Sequence, residues 1–137
     1  MSPVFVDTAA LIALNNQRDA LHQQADRVRR ELVAANRMFL TSSLVIVELC
    51  NAFSQVALRP MALNTLDSIQ TSDRWTYIHV NESLLERGLK RFRERQDKEW
   101  SLVDCVSMIL ALDFGCAEVF TSDHHFTQAG FTTLLQV

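Results

Sequence analysis

VFVDTAAL, at residues 4–11, is the stretch of this sequence that decides its fold. The apolar run at residues 3–6 predicts a short strand, and a helical pattern at residues 8–15 follows it directly. Asp7 stands between the two. An ionised carboxylate is costly to remove from water without a partner, so an acid placed beside a buried strand needs an explanation that a surface acid does not need.

The same alternation of strand and helix continues outward along the chain. Ser42 or Ser43 is placed to cap one helix, Asn81 a second and Ser101 a third. Predicted strands lie at residues 3–6, 38–41, 75–80, 117–121 and 132–135, and predicted helices at 8–15, 18–36, about 43–58, 61–71, about 82–98 and about 101–115. Strands that alternate with helices indicate an α/β fold, a three-layer α/β/α sandwich with a mostly parallel sheet of about five strands.

Composition limits the class of protein. With 137 residues, 48% of them hydrophobic, the chain suits a single domain over residues 1–137, and 3 Gly and 2 Pro leave little turn chemistry for an all-β fold. We find no secretory signal and no run long enough to span a membrane, so we expect a cytoplasmic protein without a membrane partner. The three cysteines have no metal-binding spacing and are expected to be reduced packing residues: Cys50, Cys105 and Cys116.

Four acidic residues lie within or beside apolar runs: Asp7, Glu48, Asp104 and Asp123. In an open parallel sheet, the loops that leave the carboxyl ends of the strands gather at one edge, where ligands bind. Asp7 and Asp123 follow predicted strands, while Glu48 and Asp104 lie in early turns of helices that begin at that edge. The sequence therefore predicts that all four carboxylates meet there.

Crowded carboxylates repel one another unless a cation compensates their charge. Oxygen ligands without a cluster of Cys or His favour Mg²⁺ or Mn²⁺ over Zn²⁺. Such ions commonly engage phosphate oxygens as well, so the predicted site indicates phosphodiester chemistry. No glycine-rich nucleotide loop and no serine-hydrolase elbow is present, which removes support for those classes of enzyme.

Each acid also has a purely structural interpretation. Asp7 suits a helix cap, Ser101 and Asp104 suit a capping box, and Asp123 suits a turn. Glu48 has nearly all apolar neighbours, and its structural alternative is a buried salt bridge to an arginine. One shared metal site explains the four positions together, whereas the alternatives require four separate reasons.

Basic residues near this edge are candidates for contact with nucleic acid. Arg87, Arg91 and Arg95 fall on one stripe of a helix, which is usually a solvated face but can also bind phosphates. His124, together with His125, adjoins Asp123 and is placed to touch a phosphate. We therefore take the arginine stripe and His124 as candidate RNA-binding residues.

Four segments together resemble a PIN-domain ribonuclease, and most closely the VapC-type toxins of toxin–antitoxin pairs. They are VFVDTAAL at 4–11, TSSLVIVE at 41–48, WSLVDC at 100–105 and TSDHHF at 121–126. Each motif is short, and the specificity comes from the complete set in its usual order. The resemblance covers essentially the whole chain.

The resemblance implies a metal-dependent endoribonuclease in which the acidic quartet, Asp7, Glu48, Asp104 and Asp123, holds one or two Mg²⁺ or Mn²⁺ ions. It further implies that Thr8 bonds a metal-bound water and that Ser101 orients the third acid. Asp97 is a candidate accessory acid, although a solvated helix end is the favoured interpretation of this residue. An RNA substrate, a cognate antitoxin and a homodimer are the expected partners. Two alternatives remain open, a catalytically inactive PIN-like module that binds RNA or protein and a metal-dependent phosphohydrolase acting on a small phosphate ester.

Overall fold

The computed structural model describes all 137 residues. Its centre is a five-stranded sheet in which every neighbouring pair is parallel, with strand order β3-β2-β1-β4-β5. The strands are β1 (Val4–Val6), β2 (Phe39–Ser42), β3 (Trp75–Ile78), β4 (Glu118–Phe120) and β5 (Thr132–Thr133). The predicted α/β fold with a parallel sheet of five strands is confirmed.

Seven helices connect and cover the strands. They are α1 (Thr8–Asn15), α2 (His22–Ala34), α3 (Ser43–Ala52), α4 (Arg59–Thr71), α5 (Glu82–Glu94), α6 (Leu102–Asp113) and α7 (His124–Gln128). Contacts between helices fall into two groups, α1 to α4 and α5 to α7, which with the sheet make three layers. No helix is both long enough and apolar enough to cross a membrane.

Strand β1 lies in the middle of the sheet and explains the uninterrupted apolar run at its position. Val4 pairs with Phe39 of β2, and Phe5 pairs with both Leu40 of β2 and Val119 of β4. All three residues of β1 are buried, as expected for a parallel strand with layers on both faces. The hydrophobic core is one cluster of 28 buried residues built around this strand.

Several helix boundaries differ from the prediction, and α2 begins at His22 instead of residue 18. The helix expected to reach about Leu58 ends at Ala52, and Pro60 lies in the first turn of α4 instead of separating two helices. Proline fits a first turn because its missing N–H has no helical partner there. The apolar residues that suggested a longer helix include Val56, which is 81% exposed.

Two further differences concern the second half of the chain. Helix α5 ends at Glu94 and not near Lys98, and α7 was not predicted at all. Asp123 caps α7 by accepting a hydrogen bond from the His125 backbone N–H at 2.9 Å. Five residues are too few for a helical repeat of apolar positions to be recognised.

Helices α5 and α6 run in opposite directions and pack closely. Arg87 meets Asp113 at the end of α6, whereas Arg95 lies over Trp100 just before its start. Between them, Gly88 faces Val106, where an added Cβ would lie 2.3 Å from a Val106 methyl group. Glycine at this position therefore sets how near the two helices can approach.

Candidate active site

A cleft of about 600 Å³ opens at the carboxyl edge of the sheet. Its lining brings together Asp7, directly after β1, and residues of α1, α3, α6 and α7, and it includes all four acids predicted from the sequence. The acidic side chains in the cleft are Asp7, Glu48, Glu99, Asp104 and Asp123. No lysine or arginine lines it, so five carboxylates share one concave site without a fixed positive charge.

Asp7 lies at the bottom of this arrangement, directly after β1, and is only 6% exposed. Its Oδ2 accepts a hydrogen bond of 2.9 Å from the Thr121 hydroxyl, which follows β4. Burial, opposed by the Thr121 hydrogen bond and assisted by the charges of Asp104 and Glu48, raises the pKa of Asp7 to about 7. Asp7 occupies the N-cap position of α1, but its side chain makes no capping hydrogen bond there and accepts from Thr121 instead.

Glu48 reaches the cleft from the second turn of α3. The Thr8 hydroxyl, which is buried, donates a hydrogen bond of 2.6 Å to Glu48 Oε1. No arginine or lysine forms a salt bridge with Glu48, so the structural alternative for this acid is not realised. The Thr8 hydroxyl thus orients a carboxylate of the cleft, and the contact with a metal-bound water that the resemblance implies stays a prediction.

Asp104 forms the predicted capping box and also lines the cleft. The Ser101 hydroxyl accepts from the Asp104 N–H, and Asp104 Oδ2 accepts from the Ser101 N–H, each at 3.0 Å, which completes a capping box. His125 Nδ1 also lies 3.0 Å from the same Oδ2. The cap holds the carboxylate at the start of α6, where it lines the cleft, so the structural and the site interpretations are compatible.

His125 joins the third and fourth acids. Its Nδ1 lies 3.0 Å from Asp104 Oδ2 and 3.3 Å from Asp123 Oδ1. Asp123, His124 and His125 form the one group of metal-binding side chains whose ligand atoms all lie within 4.8 Å of one another. The quartet is more open than this trio, as expected of carboxylates that repel one another.

Two polar lining residues were not singled out from the sequence, Asn51 and Glu99, whereas His125 was considered there only as a neighbour of Asp123 that could touch a phosphate. Asp97 is exposed and paired with Arg95 through two hydrogen bonds of 3.1 and 3.2 Å, which agrees with a solvated helix end and not with an accessory acid of the cleft. Glu99, two residues later, faces the cleft. Its position just before the Ser101 cap was the available signal, because residues preceding α6 lie at the same edge as Asp104.

The candidate RNA-binding residues are only partly brought to the cleft. Arg87 forms a bidentate pair with Asp113, at 2.7 and 2.9 Å, at the opposite end of α6 from the site. The guanidinium groups of Arg91 and Arg95 lie 5.1 and 4.8 Å from the ring centre of Trp100, beside Ser101. The side chain of His124 is 75% exposed and does not line the cleft.

Carboxylate oxygens are the ligands that hard divalent cations prefer. Five acids in one cleft, one of them buried with a raised pKa, form a donor set that lacks only the compensating positive charge. The residues present therefore fit a bound Mg²⁺ or Mn²⁺ ion. A parallel α/β/α sandwich with an acidic cleft at the carboxyl edge is the arrangement expected of a nuclease of the PIN class.

The PIN domain family model matches residues 4–132 of this chain. Because the match covers far more than half of the sequence, the chain belongs to the PIN domain family. The resemblance seen in the four motifs is thereby confirmed.

A curated relative of this chain is the 23S rRNA-specific endonuclease VapC20 of Mycobacterium tuberculosis. The two are 25% identical over 132 residues, which cover 93% of this chain and 95% of VapC20. The crystal structure of VapC20, titled a Sarcin-Ricin loop cleaving toxin, matches with a TM-score of 0.81 at 27% identity, over 94% of this chain and 96% of that one. The chain is thus a homologue of VapC-type PIN ribonucleases.

A second solved structure shares the fold. It is VapBC2 from Rickettsia felis, bound to a DNA fragment from the promoter of its genes, and it matches with a TM-score of 0.64 at 17% identity. The match covers 95% of this chain and 96% of the other. At this identity the likeness establishes the PIN-like architecture alone.

Proposed function

We propose that this protein is an endoribonuclease that hydrolyses RNA phosphodiester bonds with Mg²⁺ or Mn²⁺, and that it is the toxin of a toxin–antitoxin pair. The observation that carries the proposal is the cleft in which five carboxylates, from residues as distant as Asp7 and Asp123, face one another without a basic side chain. Membership of the PIN domain family supports the same conclusion.

Asp7, Glu48, Asp104 and Asp123 are the residues that would hold the metal, with Glu99 within the same cleft. When bound, such a cation lowers the pKa of a coordinated water and stabilises negative charge on the leaving oxygen. The protein orients the carboxylate groups that would bind the cation. Neighbouring hydroxyl groups fix Asp7 and Glu48, and the Ser101 cap with His125 fixes Asp104. By family likeness, the products carry 5′-phosphate and 3′-hydroxyl ends.

A cognate antitoxin follows from the names of the relatives, of which one is a toxin and another belongs to a VapBC pair. The charge of the cleft indicates how such a protein would inhibit, since a basic side chain placed there would replace the cation and exclude RNA. A homodimer is expected through α3 and α4, where Val47 and Leu63 are each 53% exposed. Light scattering of the purified chain measures that association.

The experiment that tests the proposed function is cleavage of structured RNA by the purified chain, beginning with the sarcin–ricin loop of 23S rRNA because a homologue acts there. Cleavage should require Mg²⁺ or Mn²⁺ and should fall more than about 100-fold in Asp7→Asn and Asp104→Asn, since even residues that only support metal ligands contribute 10- to 100-fold. Asp97→Asn is the matched control, because this acid lies outside the cleft and should leave cleavage intact.

Two other outcomes separate the alternatives. Metal-independent RNA binding without turnover would identify a non-catalytic module, and turnover of a small phosphate ester without RNA cleavage would identify a phosphohydrolase. Cleavage that persists unchanged in both Asp7→Asn and Asp104→Asn would contradict the assignment of the site. Sequencing the 5′ ends of the fragments then identifies the RNA and the position of the cut.

A further inference from the structure

A second cavity, of about 820 Å³, lies beside the acidic cleft. It is bounded by the end of α1, the connection from α3 to α4 and the first turn of α4. The lining residues that matter here are Ile12, Gln17, Arg18, Gln55, Leu58 and Met61. No acidic residue lines this cavity, in contrast to the five in the cleft next to it.

The two cavities are adjacent. Ile12 lines both of them, and Asn51 at the edge of the cleft is followed by Ala52 at the edge of the second cavity. Ala52 lies four residues after Glu48 on α3, about 6 Å along the helix axis. A strand of RNA with its scissile phosphate in the acidic cleft is therefore within reach of the second cavity through an adjacent nucleotide.

Charge distinguishes the two sites. A phosphate at the cleft has its charge compensated by the proposed metal ion, but the neighbouring phosphates of the strand need another positive partner. Arg18 is exposed and forms no salt bridge, and only its backbone N–H is engaged, by Asn16 Oδ1 at 3.0 Å. Its guanidinium group is free to bind a phosphate where the strand leaves the cleft.

The remaining side chains suit a nucleobase. Gln17 and Gln55 are exposed amides with no hydrogen bond to the protein from either side chain, so each can donate to and accept from a base edge. Ile12, Leu58 and Met61, which is 41% exposed, provide an apolar surface for the face of the ring. The volume lies within the range of about 300–1,000 Å³ that is typical of ligand pockets.

We propose that this cavity, with Arg18 on a phosphate and Gln17 and Gln55 on a base, binds a nucleotide of the RNA that flanks the scissile bond. The inference rests on the proposed ribonuclease function and adds to it a subsite that selects the sequence around the cut. Single-stranded RNA is recognised in this way, by an unstacked base held through its edge and its face.

Binding of a fluorescent single-stranded 12-nucleotide RNA in Mg²⁺ tests the subsite, with Asp7→Asn present in every protein to prevent cleavage. Adding Arg18→Ala should weaken binding about tenfold and reduce the slope of log K against log salt by about 0.7, the value for one lost phosphate contact on a single strand. Arg27→Ala is the matched control, since Arg27 is exposed, forms no salt bridge and lies outside both cavities. A photoreactive 4-thiouridine in the RNA should crosslink to residues 52–61.

The outcomes distinguish this inference from the proposed function. Unchanged RNA affinity and salt slope in the Arg18→Ala protein, while the otherwise unaltered chain cleaves RNA, would overturn the subsite and leave the ribonuclease intact. If the Arg18→Ala protein lost binding to the antitoxin but kept its affinity for RNA, the cavity would be assigned to a peptide of the antitoxin instead. A chain that neither binds nor cleaves any RNA removes both proposals. Gln55→Ala should broaden the bases accepted next to the cut without abolishing cleavage.

Discussion

At the scale of single residues, Asp7 is the most unusual group in the protein. Buried beside β1, it has a pKa of about 7 against an ordinary value of 3.8. A carboxyl group with a raised pKa keeps its proton in the folded state over a range where the unfolded chain has already lost it. Its ionisation is therefore coupled both to folding and to the binding of a cation.

The sign of this coupling gives a prediction for the metal-free protein. Between pH 3.8 and about 7 the folded state holds one more proton than the unfolded state, so Asp7 makes the free energy of unfolding decrease as the pH rises. The slope from this group is at most about 1.4 kcal/mol per pH unit, and it disappears above about pH 7. Urea titrations in a chelating buffer across this range measure it, and Asp7→Asn should remove it.

Thr121 provides the control for that measurement. Its hydroxyl donates to Asp7 and lowers the pKa of that carboxyl. In Thr121→Val, the free energy of unfolding should therefore keep decreasing up to a higher pH than in the unaltered protein. Thr121→Ser, which keeps the donor, should behave like the unaltered protein. Profiles that are identical in Asp7→Asn and the unaltered chain would show that Asp7 does not titrate abnormally.

At the scale of elements, the contact between α5 and α6 depends on one glycine. An added Cβ at Gly88 would lie 2.3 Å from a methyl group of Val106, which is buried and β-branched. Gly88→Ala should therefore destabilise the protein by about 1–3 kcal/mol, despite the better helix propensity of alanine. Thermal unfolding measures the loss.

The matching test is the double substitution. Val106→Ala removes the methyl group that the new Cβ would meet. The loss of unfolding free energy in the double variant Gly88→Ala/Val106→Ala should therefore be smaller than the sum of the losses in the two single variants. Strictly additive losses would mean that the two side chains do not meet. Because α6 carries Asp104, forcing these helices apart should also lower affinity for Mn²⁺, which isothermal titration can follow.

The elements also show why sequence analysis reached some features and not others. The strand at Val4–Val6 was predictable since its apolar run is short and bounded, and Asp7 was placed at the sheet edge by the chain itself. The end of α3 at Ala52 could not be predicted, because no glycine or proline marks this position and Val56 continues the apolar pattern in an exposed segment. Boundaries of this kind are set by tertiary packing, which local propensity does not encode.

The same distinction applies to the site. The quartet was predictable because each member either follows a strand or begins a helix at the carboxyl edge. Glu99 and His125 depend on how the loop before α6 and the short helix α7 fold back over the cleft. The position of Glu99 just before the Ser101 cap places it near this edge, but the direction in which its side chain points is set by the fold of the loop and not by its neighbours in sequence.

At the scale of the whole molecule, the cleft joins segments from both ends of the chain, so a ligand bound there should stabilise the entire fold. A cation that binds the folded state alone adds RT ln(1 + [L]/Kd), about 2.7 kcal/mol at one hundred times Kd. We expect Mn²⁺ to raise the Tm of the unaltered chain, measured by differential scanning fluorimetry.

Asp104→Asn should respond differently in the same assay. Removing one of several like charges relieves repulsion, so its metal-free Tm should exceed that of the unaltered chain, and added Mn²⁺ should shift it little. The exposed Asp97→Asn protein should keep the full shift. Equal shifts in all three proteins would place the bound ion outside the cleft.

The order of strands in the sheet has a consequence for the synthesis of this protein. The first strand made lies at the centre and needs β4, which is followed only by the last part of the chain, to complete its pairing. Asp123 is translated long after Asp7. A nascent chain therefore lacks part of the acidic set until Asp123 has been made, and the cleft cannot gather all of its carboxylates before then.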